Sequence, residues 1–127
     1  THNFSSGGDS FKIALYTANP YTTSSTVFSS TDEVSSAGGS NYPSGGKALT
    51  SQTVTATTAT TAIDFADTTF ASATFTAAFA AIYNTSASNK LCVVLDFGGN
   101  KTATNGTFTI SYPDPTTPSN AIISITS

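Results

Sequence analysis

Short runs in which apolar and polar residues alternate recur along this chain, and they limit what it can fold into. The clearest is Phe11–Tyr16, where Phe11, Ile13 and Leu15 fall on one side of an extended backbone. A period of two residues is the signature of a β-strand with one buried face. The same reasoning predicts further strands at residues 48–57, 62–65, 70–76, 78–83, 91–97, 108–112 and 121–125.

Two of these segments depart from strict alternation. The pattern fails after Thr76, which predicts a β-bulge or a break there. Residues 91–97 are apolar almost throughout, a pattern typical of a central strand covered on both faces. Turn residues separate the runs. Residues 84–89 are predicted to link two strands, and Gly98-Gly99-Asn100 and Asn105-Gly106 to bracket another connection.

Composition supports an all-β fold. Charged residues make up 9% of the 127 residues and aromatic residues 11%. Disordered chains are usually charged and poor in aromatics, so this balance favours a folded domain with a core of Phe, Ile, Val and Tyr. We therefore predict an antiparallel β-sandwich, jelly-roll-like, formed by a single domain over residues 11–127 and preceded by a polar arm at residues 1–10.

Residues 50–65 begin as a run of Thr, Ser and Ala and end in the sequence Ile63-Asp-Phe65. The run lacks Gly and Pro, and Thr favours an extended backbone, so a strand is predicted rather than a flexible linker. Such small side chains bury little apolar area. We expect this strand to lie at an edge or against another subunit, with Thr53 and Thr55 in the contact.

Residues 17–47 are rich in Ser, Thr and Gly and carry few apolar anchors. We interpret them as a long excursion that wraps the domain, with a short strand or helical turn near residues 29–34. Loops of this length are usually functional or contact a partner. The excursion and the polar arm are therefore candidate clamps on a partner, with aromatic contacts expected from Phe4, Tyr21, Phe28 and Tyr42.

Catalytic residue types are scarce. His2 is the single histidine and lies in the polar arm, and the single cysteine, Cys92, lies in an apolar run, where a small buried side chain is expected. The net charge is −3 and the four lysines are spread along the chain, so nucleic-acid binding and electrostatic membrane binding are not expected. The prediction is a non-enzymatic protein without a cofactor.

One pair of carboxylates could hold a metal ion. Asp64 and Asp67 flank Phe65-Ala66, and with backbone carbonyls they could bind a hard cation such as calcium. In the alternative interpretation, Asp67 caps a turn and Asp64 is a solvated strand residue.

The strand patterns also predict the core. Leu95 is expected to be buried, and replacing it by Ala should cost about 2–5 kcal/mol. The side chains predicted to be buried are Phe11, Ile13, Leu15, Phe65, Phe75, Val93, Leu95, Phe108, Ile110 and Ile123.

Several short motifs follow one another along the chain, at residues 8–17, 32–34, 45–49, 63–70, 81–84, 94–98 and 106–110. Their order resembles a family of small proteins encoded among the virion structural genes of tailed bacteriophages. The resemblance covers roughly residues 8–126, and its motifs are structural rather than catalytic. Phe70 stands where relatives often have tryptophan, and no arginine follows the 70–76 strand.

The resemblance implies a capsid decoration, or cement, protein on the exterior of the virion. Such a protein would be a homotrimer that bridges major capsid subunits through many additive contacts. A tail or tail-fibre component is the alternative within the virion. A carbohydrate-binding module is the alternative from another class, because surface tyrosines could stack on glycans.

Overall fold

The described residues fold into β-strands and one short helical turn. The computed structural model describes residues 3, 5, 7–56, 61–110 and 123–126. A 3-10 turn at Thr85–Ala87 joins the two longest strands. The strands are β1 (Phe11–Tyr16), β2 (Lys47–Ala48), β3 (Thr53–Ala56), β4 (Thr61–Asp64), β5 (Thr68–Asn84), β6 (Lys90–Ile110) and β7 (Ile123–Thr126).

All the strand pairs are antiparallel, which confirms the prediction of an all-β fold. Five strands form one sheet in the order β2-β1-β5-β6-β7, and β3 and β4 form a separate two-stranded sheet. The described strands thus give one large sheet and a hairpin, rather than the two matched sheets of a jelly roll. The predicted strand at 48–57 is divided between β2 and β3.

Strands β5 and β6 form a long ribbon that is interrupted by bulges. The predicted strands 70–76 and 78–83 are one strand, and its pairing register shifts between Ala77 and Phe79, close to the predicted break after Thr76. The prediction that residues 98–100 and 105–106 bracket a connection is wrong. Gly98 and Gly99, with φ of 76° and 150°, form a bulge inside β6, where glycine adopts conformations that other residues rarely reach.

The run at 91–97 is not the doubly covered strand that its sequence predicts. It lies in β6, where Val93 is 42% exposed and Leu95 is half-buried. The strand covered on both faces is β1, whose residues are all buried except the half-buried Lys12. Because Leu95 retains some solvent contact, Leu95→Ala should cost less than the full-burial estimate.

Aromatic rings fill the core on one face of the large sheet. Phe70 packs edge-on against Phe75 at 5.8 Å between ring centroids, and Phe75 lies 5.0 Å from Phe108. Tyr42 stacks on Phe70 at 5.7 Å, so the excursion contributes a ring to this cluster. Seven of the predicted core residues are buried, and the side chain of Ile123 lies outside the described part of the structure. The seven are Phe11, Ile13, Leu15, Phe65, Phe75, Phe108 and Ile110.

The excursion at residues 17–47 completes the outer edge of β1. Strand β2 pairs only with Lys12 and Ile13 of β1. Beyond that point Val34 N donates to Leu15 O at 2.9 Å, and Thr17 N donates to Asp32 O at 2.8 Å. Of the short strand or turn expected near residues 29–34, the structure has a turn, in which Glu33 N donates to Ser30 O at 3.2 Å, and a single bridge between Tyr16 and Glu33. The excursion therefore wraps the domain, as predicted, by replacing a strand partner.

Gly46 allows the excursion to approach β1 closely. A Cβ atom at this position would lie 1.9 Å from Ile13 O and 2.8 Å from Ala14 Cα. Both are backbone atoms of a buried strand, so neither can move aside cheaply. Gly46 also has φ of 86°, in the region that glycine favours.

We predict that Gly46→Ala destabilises the fold by more than about 3 kcal/mol, because backbone strain adds to a steric clash with β1. Gly45→Ala is the matched control. Gly45 has the same φ of 86°, but a Cβ atom there would lie 3.6 Å from its nearest neighbour, the Tyr83 hydroxyl. The Gly45→Ala variant should lose about 1 kcal/mol of stability, from backbone strain alone. Urea unfolding measures both, and equal losses would show that close approach to β1 is unimportant.

Candidate functional site

Tyr42, expected to contact a partner, lies inside the chain. It is 2% exposed, and its hydroxyl accepts a hydrogen bond from Leu15 N at 3.0 Å. The same hydroxyl donates to Glu33 Oε2 at 2.6 Å. The expectation of a partner contact is therefore corrected: the Tyr42 ring belongs to the core, and its hydroxyl completes the edge of β1.

Glu33 joins two parts of the excursion. Its Oε2 atom accepts from the Tyr42 hydroxyl and also from Gly45 N at 2.8 Å. The Tyr83 hydroxyl donates to Gly45 O at 2.5 Å, which fixes the same turn to β5. Burial, and next the hydrogen bond to Glu33, raise the pKa of Tyr42. Burial, and next the charge of Glu33, raise the pKa of Tyr83 to about 12.

Tyr21 is also a core residue rather than an exposed anchor. It is 9% exposed, and its hydroxyl lies 2.5 Å from that of Tyr16. Both hydroxyls meet the backbone of Ser29, with Tyr16 donating to Ser29 O at 2.8 Å and Tyr21 accepting from Ser29 N at 3.0 Å. Phe28 is half-buried and stacks on Tyr83 at 4.5 Å. It keeps some accessible surface, so contact with a partner stays a prediction for Phe28.

The other expected partner contacts are only partly described. Phe4 lies outside the described residues. Thr53 and Thr55 belong to β3, which pairs with β4 from Thr53–Asp64 to Ala56–Thr61. This confirms strand at Thr53–Ala56 and Thr61–Asp64, while residues 57–60 of the run lie outside the described residues. A two-stranded hairpin is marginal on its own in water.

The N-terminal segment is better anchored than a polar arm. Asp9 Oδ2 accepts from Asn3 N at 2.9 Å and from the buried Asn84 side chain at 2.8 Å. The Gln52 amide donates to Ser5 O and Asp9 O, both at 2.9 Å. Residues 7–10 are therefore tied to the body of the domain, at the turn between β5 and β6.

The described titratable groups do not assemble into a metal centre. No group of three or more His, Cys, Asp or Glu side chains able to hold a metal ion occurs among them. Asp67 is exposed, while the Asp64 and His2 side chains lie outside the described residues. Burial, and next the charge of Asp9, raise the pKa of Cys92 to about 11, which suppresses its thiolate.

The most distinctive surface lies on the β5–β6 ribbon, opposite the phenylalanine core. Thr76 pairs with Thr102, and their hydroxyls are 2.8 Å apart. Thr69 pairs with Thr109 in the same alternating pattern. The side chains of this surface are exposed or half-buried and uncharged. This threonine face consists of Thr69, Ala71, Thr74, Thr76, Thr102, Thr104 and Thr109.

A shallow hollow of about 270 Å³ borders the threonine face. Its walls come from the excursion and from β5, including Val34, Ser40, Thr74 and Phe75. Thr74 N donates to Ser40 O at 3.0 Å, so the excursion also covers this edge of β5. The hollow is lined by hydroxyl and apolar groups without a charge.

The sequence pointed to a contact surface at Thr53 and Thr55 and did not single out the threonine face. The sequence does contain the pattern, because threonine alternates at Thr74 and Thr76 and at Thr102 and Thr104. That the two runs form one surface became evident only from the pairing of β5 with β6, which places them side by side.

Comparisons with protein-family models, with curated proteins and with solved structures each found no match. Within the described residues, no helix is both long and apolar enough to cross a membrane.

We predict that Tyr42→Phe destabilises the fold by about 1–3 kcal/mol, because it leaves the Leu15 amide without its acceptor while keeping the ring. Chemical denaturation measures the loss. Thr23→Ala, at an exposed position of the same excursion, is the control and should change stability by less than about 0.5 kcal/mol. A Tyr42→Phe chain as stable as the parent would contradict the role given to this hydroxyl.

Alkaline titration should resolve the buried tyrosines. Burial raises the pKa of Tyr16 and Tyr42 as well as that of Tyr83. The folded state thus holds protons that the unfolded state releases near pH 10. The stability from all three groups is complete below that pH and falls as pH rises above it. The part that comes from Tyr83 is lost as pH rises through about 12, the pKa of this tyrosine.

The measurement is tyrosinate absorbance against pH. The buried tyrosines should ionise well above pH 10, in a late absorbance phase that coincides with unfolding. Tyr16→Phe should reduce the amplitude of this late phase. Loss of amplitude near pH 10 instead would show that Tyr16 is accessible to solvent. A chain unfolded in guanidinium, in which all tyrosines should ionise near pH 10, serves as the reference.

Proposed function

We propose that this chain is a non-enzymatic virion protein that decorates the outer surface of a phage capsid and stabilises contacts between major capsid subunits. The observation that carries the proposal is the threonine face: an uncharged strand surface on the side of the β5–β6 ribbon opposite the phenylalanine core. The resemblance to phage virion proteins supplies the partner, and the threonine face supplies a surface suited to it.

A threonine face suits contact with a large protein surface. Threonine is stiff at its first side-chain torsion, so little side-chain entropy is lost when the face is covered. Its hydroxyl can donate or accept a hydrogen bond, and its methyl group is apolar. The face can therefore contact neutral surfaces that are polar or apolar. Weak contacts of this type become strong when many copies bind one particle.

The tail-component alternative uses the same surface and remains a second proposal within the virion. The carbohydrate-binding alternative is less well supported. It requires exposed rings, and four of the tyrosines that could supply them are buried: Tyr16, Tyr21, Tyr42 and Tyr83. Stacking on a glycan needs an open aromatic face, which these residues do not offer.

The test is binding of the purified chain to expanded capsids that were assembled without it. Thr104→Glu should weaken binding at least about tenfold, because a charge would be desolvated in the contact. Ala48→Glu is the matched control: it adds the same charge at an exposed position of β2, away from the threonine face, and should bind normally.

Circular dichroism checks that both variants fold. A parent chain that does not bind such capsids would overturn the decoration proposal. Equal capsid binding by Thr104→Glu and the parent chain would show that the threonine face is not the surface that contacts the capsid. Binding to a glycan array by the parent would favour the carbohydrate-binding alternative.

A further inference from the structure

Asn105 lies in a second bulge of β6, beside the threonine face. The pairing of β6 with β5 shifts register on both sides of the pair Ala73–Gly106. Two residues of β6, Thr104 and Asn105, therefore lie opposite the single residue Thr74. Both are exposed, and Asn105 N donates to Thr74 Oγ1 at 3.0 Å. The bulge thus places an asparagine side chain next to two members of the threonine face.

The side chain of Asn105 is held by no hydrogen bond in the part of the chain that the structure describes. It is therefore free to turn towards the backbone of the next residue. By contrast, the side chains of Asn3, Asn19 and Asn41 each hydrogen bond with another residue. The Asn105 backbone has φ of 47°, in the left-handed region that asparagine and aspartate tolerate better than most residues.

Asn105 is also the only asparagine of the chain that is followed by glycine. Glycine has no side chain and a wide range of backbone conformations, so its nitrogen can approach the preceding side chain closely. After Asn100, on the same strand, the side chain of Lys101 hinders that approach. The pair Ala73–Gly106 stands between two register shifts, so the backbone can rearrange here without opening a regular ladder.

We propose that Asn105 is a site of spontaneous deamidation. The backbone nitrogen of Gly106 loses its proton and forms a bond to Cγ of Asn105, and the bond from Cγ to the side-chain nitrogen breaks. The side-chain nitrogen takes up the proton and leaves as ammonia. Water then opens the five-membered succinimide ring at either carbonyl, which leaves aspartate or isoaspartate at position 105. Water is the only other reactant.

The product places a carboxylate beside the uncharged threonine face. Aspartate tolerates the left-handed backbone as asparagine does, so the fold should be retained. A carboxylate that is covered in a contact must lose its water, which is costly without a partner of opposite charge. Copies of the chain that are modified before docking should therefore bind capsids more weakly. This consequence rests on the proposed function, whereas the modification itself does not.

Peptide mapping by mass spectrometry tests the modification without capsids. The purified chain is aged in mildly alkaline buffer, either folded or unfolded in guanidinium, and trypsin then separates Asn100 from Asn105 by cleaving after Lys101. In the folded chain, Asn105 should gain about 1 Da and yield isoaspartate. The rate should be within about a hundredfold of that in the unfolded chain, because the bulge opens locally.

Asn100 is the internal control, because it is exposed on the same strand but followed by lysine. It should convert much more slowly than Asn105. Conversion of Asn105 that is slowed by more than about a hundredfold on folding would show that the site reacts only when larger parts of the fold open, and would overturn the proposal. Equal conversion of the two asparagines, or aspartate formed without isoaspartate, would also overturn it.

The consequence for docking is tested with two variants of the full chain. Asn105→Asp carries the charge permanently, and Asn105→Gly accepts the same backbone conformation but cannot deamidate. Asn105→Asp should bind expanded capsids at least about tenfold less tightly than Asn105→Gly. Circular dichroism checks that both variants fold.

Equal capsid binding by the two variants would overturn the consequence for docking. A parent chain that does not bind capsids would overturn the decoration proposal and this consequence with it. Neither result would change the mass measurement, so the modification site and the proposed function can fail separately.

Discussion

The outer edge of β1 is the constraint on which the rest of the fold depends. β1 is buried on both faces, so its backbone groups cannot turn to water, yet β2 pairs only with Lys12 and Ile13. The excursion supplies what is missing, through Val34, Asp32 and the Tyr42 hydroxyl. Because Tyr42 also donates to Glu33, one hydroxyl ties the strand edge, the core ring cluster and the excursion together.

This constraint explains why local patterns predicted some features and missed others. The strand Phe11–Tyr16 was predictable because its alternation of apolar and polar residues involves only neighbours in the sequence. The use of Tyr42 as a partner for Leu15 was not, because it depends on two residues far apart in sequence. Gly98-Gly99 resembles a turn locally, and only its pairing with β5 shows it to be a bulge. The apolar run at 91–97 suggests a central strand covered on both faces, whereas in the structure Val93 is 42% exposed and Leu95 is half-buried.

In the candidate site, too, the sequence predicted some features and missed others. Residue types alone indicated a protein without an evident catalytic centre, and the buried tyrosines and the anchored Asp9 are used to hold the fold together. Tyr21 and Tyr42, expected to contact a partner, are buried instead, and each hydroxyl accepts a hydrogen bond from a backbone amide, of Ser29 and Leu15 respectively. The threonine face replaces them as the surface proposed for contact, because β5 and β6 bring together threonines that are distant along the chain.

Amide hydrogen exchange of the Leu15 and Val34 backbone is the most direct test of the central claim that the excursion serves as the missing partner of β1. Both amides are expected to exchange as slowly as those paired between β1 and β5, and only through global unfolding. Fast exchange at Leu15 and Val34, with the β1–β5 amides still protected, would show that the excursion opens independently and would contradict this claim.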